Sequence, residues 1–211
     1  MNHSHTLGLL SLATALATAA HAHQATGIKL TEPTAHSITV WTRITREAER
    51  AADDGPLPIT KLFDRTTGKD IPFRDNATYA NARPELTFPP GAHLGTIRGA
   101  ALGAPGQTRV RYRPAAASTA AWTESAWRDV DPSRDFTATF ALAQLTPGTR
   151  YTVTVEDRPR ADAPVTSTTT GTFVTAPLAN ANATATFAVM SCQQYEDRDR
   201  PDGFAIYPSM L

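Results

Sequence analysis

Leu145-Thr146-Pro147-Gly148-Thr149-Arg150-Tyr151 places a leucine, a Pro-Gly turn and a tyrosine at the head of a strand. This is the form of a tyrosine corner, in which the phenol bonds back to the backbone of the preceding turn and pins a crossing between two sheets. Pro147 presets φ for the turn, and Gly148 accepts the conformations a side chain would resist. The strand that follows alternates: Tyr151, Val153 and Val155 point one way, Thr152, Thr154 and Glu156 the other. A period of two marks a strand with one face on a core. Tyr151 is therefore read as architectural rather than catalytic.

The same alternation recurs on both sides of the corner. Phe136, Ala138, Phe140 and Leu142 alternate with Thr137, Thr139 and Ala141 over residues 135–142, and Val110 and Tyr112 punctuate residues 108–113. Residues 127–130 and 171–175 are shorter strands. Residues 27–30 lead into the turn Thr31-Glu32-Pro33-Thr34, and residues 37–44 carry Ile38, Val40, Thr42 and Ile44 on one face with Trp41 on the other. Both faces of that strand hold apolar surface, so spacing alone leaves its core side open. Strands at this spacing, split by Pro/Gly turns with no helical period between them, predict a β-sandwich. From residue 45 to 107, prolines at Pro56, Pro58, Pro72, Pro84, Pro89, Pro90 and Pro105 break every long element. Residues 47–54 read as a brief helix or a loop, and 60–64, 85–88 and 94–97 as short strands. A structureless stretch of this length is unusual in a compact domain, which predicts an ordered insertion lying over a sheet edge.

Bulk composition narrows the function classes. The chain has 211 residues, 41% hydrophobic, with 20 basic and 20 acidic side chains. A zero net charge gives no electrostatic basis for binding nucleic acid. One cysteine excludes an internal disulfide framework and a cysteine-rich zinc site. Residues 7–20 form an apolar run followed by the small-x-small site Ala20-His21-Ala22, so residues 1–22 read as an export signal cleaved before His23, although no Lys or Arg precedes the run. That predicts a secreted or periplasmic protein. Nothing later is long and apolar enough for a transmembrane helix.

A linker of small and polar residues begins at Ala176-Pro177. Beyond it, residues 185–190 are apolar on both faces, as a strand inside an α/β sheet is, and they deliver Cys192 to the carboxyl end, where such sheets bind ligands. Cys192 has three readings from position alone: a buried small hydrophobe, the commonest fate of a free cysteine; a reactive thiol; or one ligand of a metal site. A thiol nucleophile needs a base, and no histidine follows Cys192, while His36 and His93 lie in the sandwich region. A helix opens near the last residues, with Asp202-Gly203 as its cap. Asp129-Val130-Asp131 is a strand-edge pair followed by Pro132 and reads as a turn rather than a metal site, the run 196–202 as a solvated loop, and Gly99, Gly103 and Gly106 lack the lysine and helix of a phosphate loop. His3, His5, His21 and His23 belong mainly to the leader. The sequons at Asn76 and Asn182 matter only in a glycosylating pathway.

The corner and Trp41 together resemble a fibronectin type III-like module. Four pieces resemble the amino-terminal part of the PhoD-like alkaline phosphatases, a branch of the metallophosphoesterases. They are Thr26-Gly27-Ile28-Lys29-Leu30 through Thr42-Arg43; Pro105-Gly106-Gln107-Thr108-Arg109-Val110-Arg111-Tyr112; Asp135-Phe136-Thr137 through the corner; and Phe187-Ala188-Val189-Met190-Ser191-Cys192-Gln193 with Asp202-Gly203-Phe204 and Tyr207-Pro208-Ser209-Met210-Leu211. The resemblance implies a fibronectin III-like domain over 25–177, a linker over 178–184, and over 185–211 the truncated amino-terminal edge of an α/β metallophosphatase domain. It implies that Cys192 ligates iron in a centre completed by calcium, and that the parent enzyme hydrolyses phosphate mono- or diesters with metal-activated water. The remaining ligands, which the family carries in Gly-Asp and Gly-x-His-x motifs, are missing here. One thiolate cannot hold such a centre, so this chain alone is expected to be inactive and to bind neither metal stably. The alternative is a stand-alone extracytoplasmic binding module. A thiol redox protein is disfavoured by the lone cysteine. No oligomeric state is assigned.

Overall fold

A computed structural model describes residues 21–71, 81–117, 119–184, 186–190, 192, 199–200 and 203–210. The chain divides into two compact units, Met1–Ala176 and Pro177–Leu211. Among the described residues of the first unit, eleven strands run in order: β1 (Lys29–Thr31), β2 (Ile38–Arg43), β3 (Ile59–Asp64), β4 (Asp70–Ile71), β5 (Ala82–Thr87), β6 (Gln107–Pro114), β7 (Thr123–Glu124), β8 (Arg128–Asp129), β9 (Thr137–Leu142), β10 (Arg150–Arg158) and β11 (Ser167–Val174). The fold is mainly β, and every pairing is antiparallel. One sheet is ordered β1-β2-β9, a second β11-β10-β6-β7 with β8 also on β6, and a third β4-β3-β5.

The first two sheets contribute to a single hydrophobic cluster. β2 supplies Ile38 and Val40, β9 supplies Ala138, Phe140 and Leu142, and across from them stand Val110 of β6, Tyr151, Val153 and Val155 of β10 and Phe173 of β11. The core side of β2 is thus the Ile38, Val40, Thr42 and Ile44 face, each at most 2% exposed. Trp41 faces the other way, under the Lys29 ammonium at 5.0 Å. Burying a Val or Ile side chain stabilises the fold by about 1.5–3 kcal/mol, so this face outweighs the partly covered Trp41 face.

The tyrosine corner forms as its sequence implies. The Tyr151 phenol accepts the Thr146 amide at 2.9 Å across the turn, and its ring stacks on Phe173 with centroids 5.3 Å apart. Gly148 has φ +59°, the left-handed region that favours glycine. Thr175 locks the same turn from β11, its hydroxyl donating to the Thr146 carbonyl at 2.6 Å and accepting from the Thr149 amide at 2.9 Å.

The described residues of the long insertion build the third sheet for themselves. β3 and β5 pair over their full lengths, from Ile59 opposite Thr87 to Asp64 opposite Ala82. Residues 47–54 are a loop. Residues 94–97 are turns, not the expected strand. His93 organises them: its carbonyl accepts from the amides of Thr96 and Ile97, and its amide donates to the Thr96 hydroxyl. Four residues with Gly95 inside them favour this local bonding over a ladder. An isolated bridge from Thr45 to Gly103 ties the end of the insertion back to the strand that precedes it.

Candidate functional site

Cys192 is exposed. Ser191 and Gln193–Arg198 lie outside the described residues. The run before Cys192 departs from expectation. Residues 186–190 pair with no strand among the described residues, and Phe187, Val189 and Met190 are 82%, 83% and 54% exposed. A strand apolar on both faces is stable only when neighbouring strands satisfy its backbone and further layers cover its sides, and the described residues of this unit supply neither. The reading of Cys192 as a buried hydrophobe is corrected accordingly. The expected helix is present as α1 (Ile206–Met210). Asp202 lies outside the described residues; Asp199 accepts the Ala205 amide at 2.7 Å just before the helix.

Among the described residues, no group of three or more His, Cys, Asp or Glu side chains could hold a metal ion. Among the described residues the Cys192 thiol has no companion ligands, and one thiolate does not fit a multi-metal centre. The two histidines weighed as bases are otherwise engaged. His36 Nδ1 lies 3.0 Å from the Leu145 carbonyl beside the tyrosine corner, and His93 Nδ1 accepts the Gly95 amide at 3.1 Å. Asp131 caps the 3₁₀ turn Pro132–Arg134, accepting the Ser133 amide and hydroxyl. Those bonds hold its carboxyl below the usual range; Asp129 closes β8, and the turn that Pro132 suggests begins at Asp131.

Two polar constellations were not foreseen. The first is on the outer face of the β6–β10 sheet. Arg109 and Arg111 each bond Glu156 and Glu124 at 2.7–2.8 Å. Arg109 and Arg158 flank Trp127 at 4.8 and 4.0 Å, and Arg111 and Arg113 flank Trp122 at 5.3 and 4.3 Å. Burial pushes the Glu156 carboxyl up, but Arg111 and Arg109 outweigh it and hold it below the usual range. The period-two arginines at 109, 111 and 113 were a visible signal. Since Arg109 and Arg111 are committed to carboxylates, and all four arginines to indole faces, the ladder braces the sheet.

The second lies at one end of the core. Asp157 is fully buried, and neither of its carboxyl oxygens has a hydrogen-bond partner. Thr108 is its register partner across β6, and the side chains of Thr108 and Gln24 stand close enough to favour ionisation, yet neither completes a bond of good geometry. Burial dominates and pushes the Asp157 carboxyl up to about 7. The segment 22–25 closes this end. Ala22 is fully buried, His23 bridges Thr45, and the Gln24 side-chain Nε2 donates to the Thr42 hydroxyl at 2.9 Å. A carboxyl in such a place can hold a proton at neutral pH or demand a cation.

An open cleft of about 380 Å³ in the insertion is lined by Arg46, Glu47, Glu49, Arg50 and His93 among others. Its mixed charges select neither an anion nor a cation. No protein-family model matches the chain, and no curated protein sequence matches it.

Proposed function

We propose that this chain is the amino-terminal portion of an exported PhoD-like metallophosphatase. It comprises a fibronectin type III-like β-sandwich over 25–177, a linker over 178–184, and the first segment of the catalytic domain over 185–211. The four matching pieces of sequence support the family reading, and the two sheets sharing one core, with Tyr151 bonded back to Thr146, support the sandwich. The observation that carries it is the exposed apolar run Phe187 to Met190 leading to Cys192. Bare apolar surface of this kind calls for a covering element, and in the family this run is an interior strand that presents an iron-ligating cysteine. In this reading Cys192 is one ligand of an iron–calcium centre, the substrates of the parent enzyme are phosphate esters, and the present chain alone hydrolyses none.

Two measurements test this. Genomic sequence past the Leu211 codon is expected to continue in frame with Gly-Asp and Gly-x-His ligands; a stop codon there overturns the assignment. The purified chain, supplied with iron and calcium, is expected to leave a chromogenic phosphate ester intact, and metal-dependent turnover overturns the claim that it is inert.

A further inference from the structure

We propose that the export leader is cut between Ala19 and Ala20, after the small-x-small triplet Ala17-Thr18-Ala19, and not between Ala22 and His23. The proposal rests on the export reading above and moves its processing site. Ala22 is fully buried and belongs to the hydrophobic cluster that the two sheets share. Its amide donates to the Thr166 hydroxyl at 3.1 Å, and that same hydroxyl donates to its carbonyl at 2.7 Å. Its methyl group faces Gly106, where a Cβ would stand only 3.4 Å from it. The next residue is held as well: the His23 amide donates to the Thr45 carbonyl at 3.1 Å, and the Thr45 amide donates back to the His23 carbonyl at 2.8 Å. The bond first read as the cleavage point therefore joins two residues that are both built into the fold.

A signal peptidase reads an extended chain, so burial in the fold does not block hydrolysis at Ala22–His23. It makes the product of that cut deficient. The Thr166 hydroxyl would lose its donor and its acceptor together, and the place of the methyl beside Gly106 would be left open. A buried polar group without partners and a hole in the core each cost stability. A cut one bond earlier fails twice. His21 is not a small residue, as the position before the cut requires, and the new ammonium would fall on Ala22, a fully buried position. His21 is itself engaged, its ring stacked on that of His23 with centroids 5.5 Å apart. Upstream of it, Ala17-Thr18-Ala19 is the nearest triplet with alanine at both outer positions, the A-x-A form of a cleavage site. The run Leu7 to Leu16 ahead of it keeps the length of an export signal's apolar segment. Hydrolysis of the Ala19–Ala20 amide consumes one water, leaves a carboxylate on Ala19 and a protonated amine on Ala20, and keeps Ala22 with the folded chain.

Amino-terminal sequencing of the exported protein reads the site directly, and a start at Ala20 is expected. A start at His23 overturns the proposal and leaves the export reading intact. A chain that still begins at Met1 overturns both, and any other start overturns the assigned bond. Two chains released from a fusion, one beginning at Ala20 and the other at His23, measure the reason for the choice. In urea, the chain that begins at His23 is expected to show a folded-to-unfolded ratio lower by about tenfold or more, or no folded state. Thr166→Val in both lengths is expected to narrow that gap, because part of it lies in the two bonds at the hydroxyl. Equal stability of the two lengths overturns the proposal, as does a gap that Thr166→Val leaves unchanged. A chain beginning at Ala20 that does not fold overturns it too. None of these readouts depends on phosphatase activity.

Discussion

Glu156 and Asp157 are successive residues of β10, and their carboxyl groups lie on opposite faces of the sheet. Glu156 meets Arg109 and Arg111 on the outer face, and Asp157 is buried on the core side without a partner. The two titrate in opposite senses. Glu156, held below its ordinary value, contributes stability that is present above the unfolded value of 4.5 and is lost as pH falls through its depressed pKa. Asp157, raised to about 7 from 3.8, holds its proton more tightly in the folded state than in the unfolded one. Its stabilising contribution is complete below 3.8 and is lost as pH rises to about 7, a total of about 4 kcal/mol.

Asp157→Asn is therefore expected to leave stability nearly unchanged at pH 3, below the unfolded value of 3.8, and to raise it at pH 8, by up to about 4 kcal/mol. Urea midpoints of both proteins at the two pH values measure the difference. A gap that does not widen with pH would show that the carboxyl is not carrying this proton.

Tyr151→Phe removes the acceptor for the Thr146 amide while keeping the ring against Phe173. An amide left unsatisfied costs about 1–3 kcal/mol. The denaturation midpoint is expected to fall by that amount with an unchanged m-value and an unchanged far-UV spectrum. A loss below about 0.5 kcal/mol would mean that the corner is held by Thr175 and the ring stack alone.

Gly106 faces Ala22, and a side chain at that position has no room. A Cβ there would stand 2.8 Å from the Arg158 carbonyl and 2.9 Å from Ile44 Cδ1. The carbonyl belongs to backbone and cannot swing aside, so Gly106→Ala is expected to cost about 1–3 kcal/mol through overpacking. A thermal melt checks this; an unchanged midpoint would show that the strand end yields freely.

The corner was legible because its chemistry is local: Tyr151 lies five positions from the amide it binds. The core side of β2 was not, because Trp41 and Ile38 are both apolar and only pairing with β9 chooses between them. The first half of β11, Ser167 to Thr170, is polar and carries no alternation of hydrophobicity, so β10 alone reveals it. Asp157 left a signal that went unread, since the inward series Tyr151, Val153, Val155 continues onto it. What closes over it was beyond reach, because Ala22 lies 144 positions from Thr166 and had been assigned to a discarded leader. Cys192 was legible as a position. Its partners, in the proposed reading, belong to motifs this sequence does not contain.

The two units make opposite demands on the chain, and truncation separates them. The corner and its lock end at Thr175, whose hydroxyl and amide bond residues 146 and 149, and the Ala176 amide bonds the Thr34 carbonyl. Every bond of this lock lies within residues 34–176, inside the first unit. The segment beyond it exposes Phe187, Val189 and Met190, a run of apolar and β-forming residues of the kind that pairs with other chains. Removing residues 177–211 is therefore expected to leave the melting temperature of the first unit unchanged and to raise the concentration at which the protein aggregates. Calorimetry and light scattering on the two lengths measure both quantities. Loss of folding on truncation would mean that residues after Ala176 take part in the core, and the division into two units would fail.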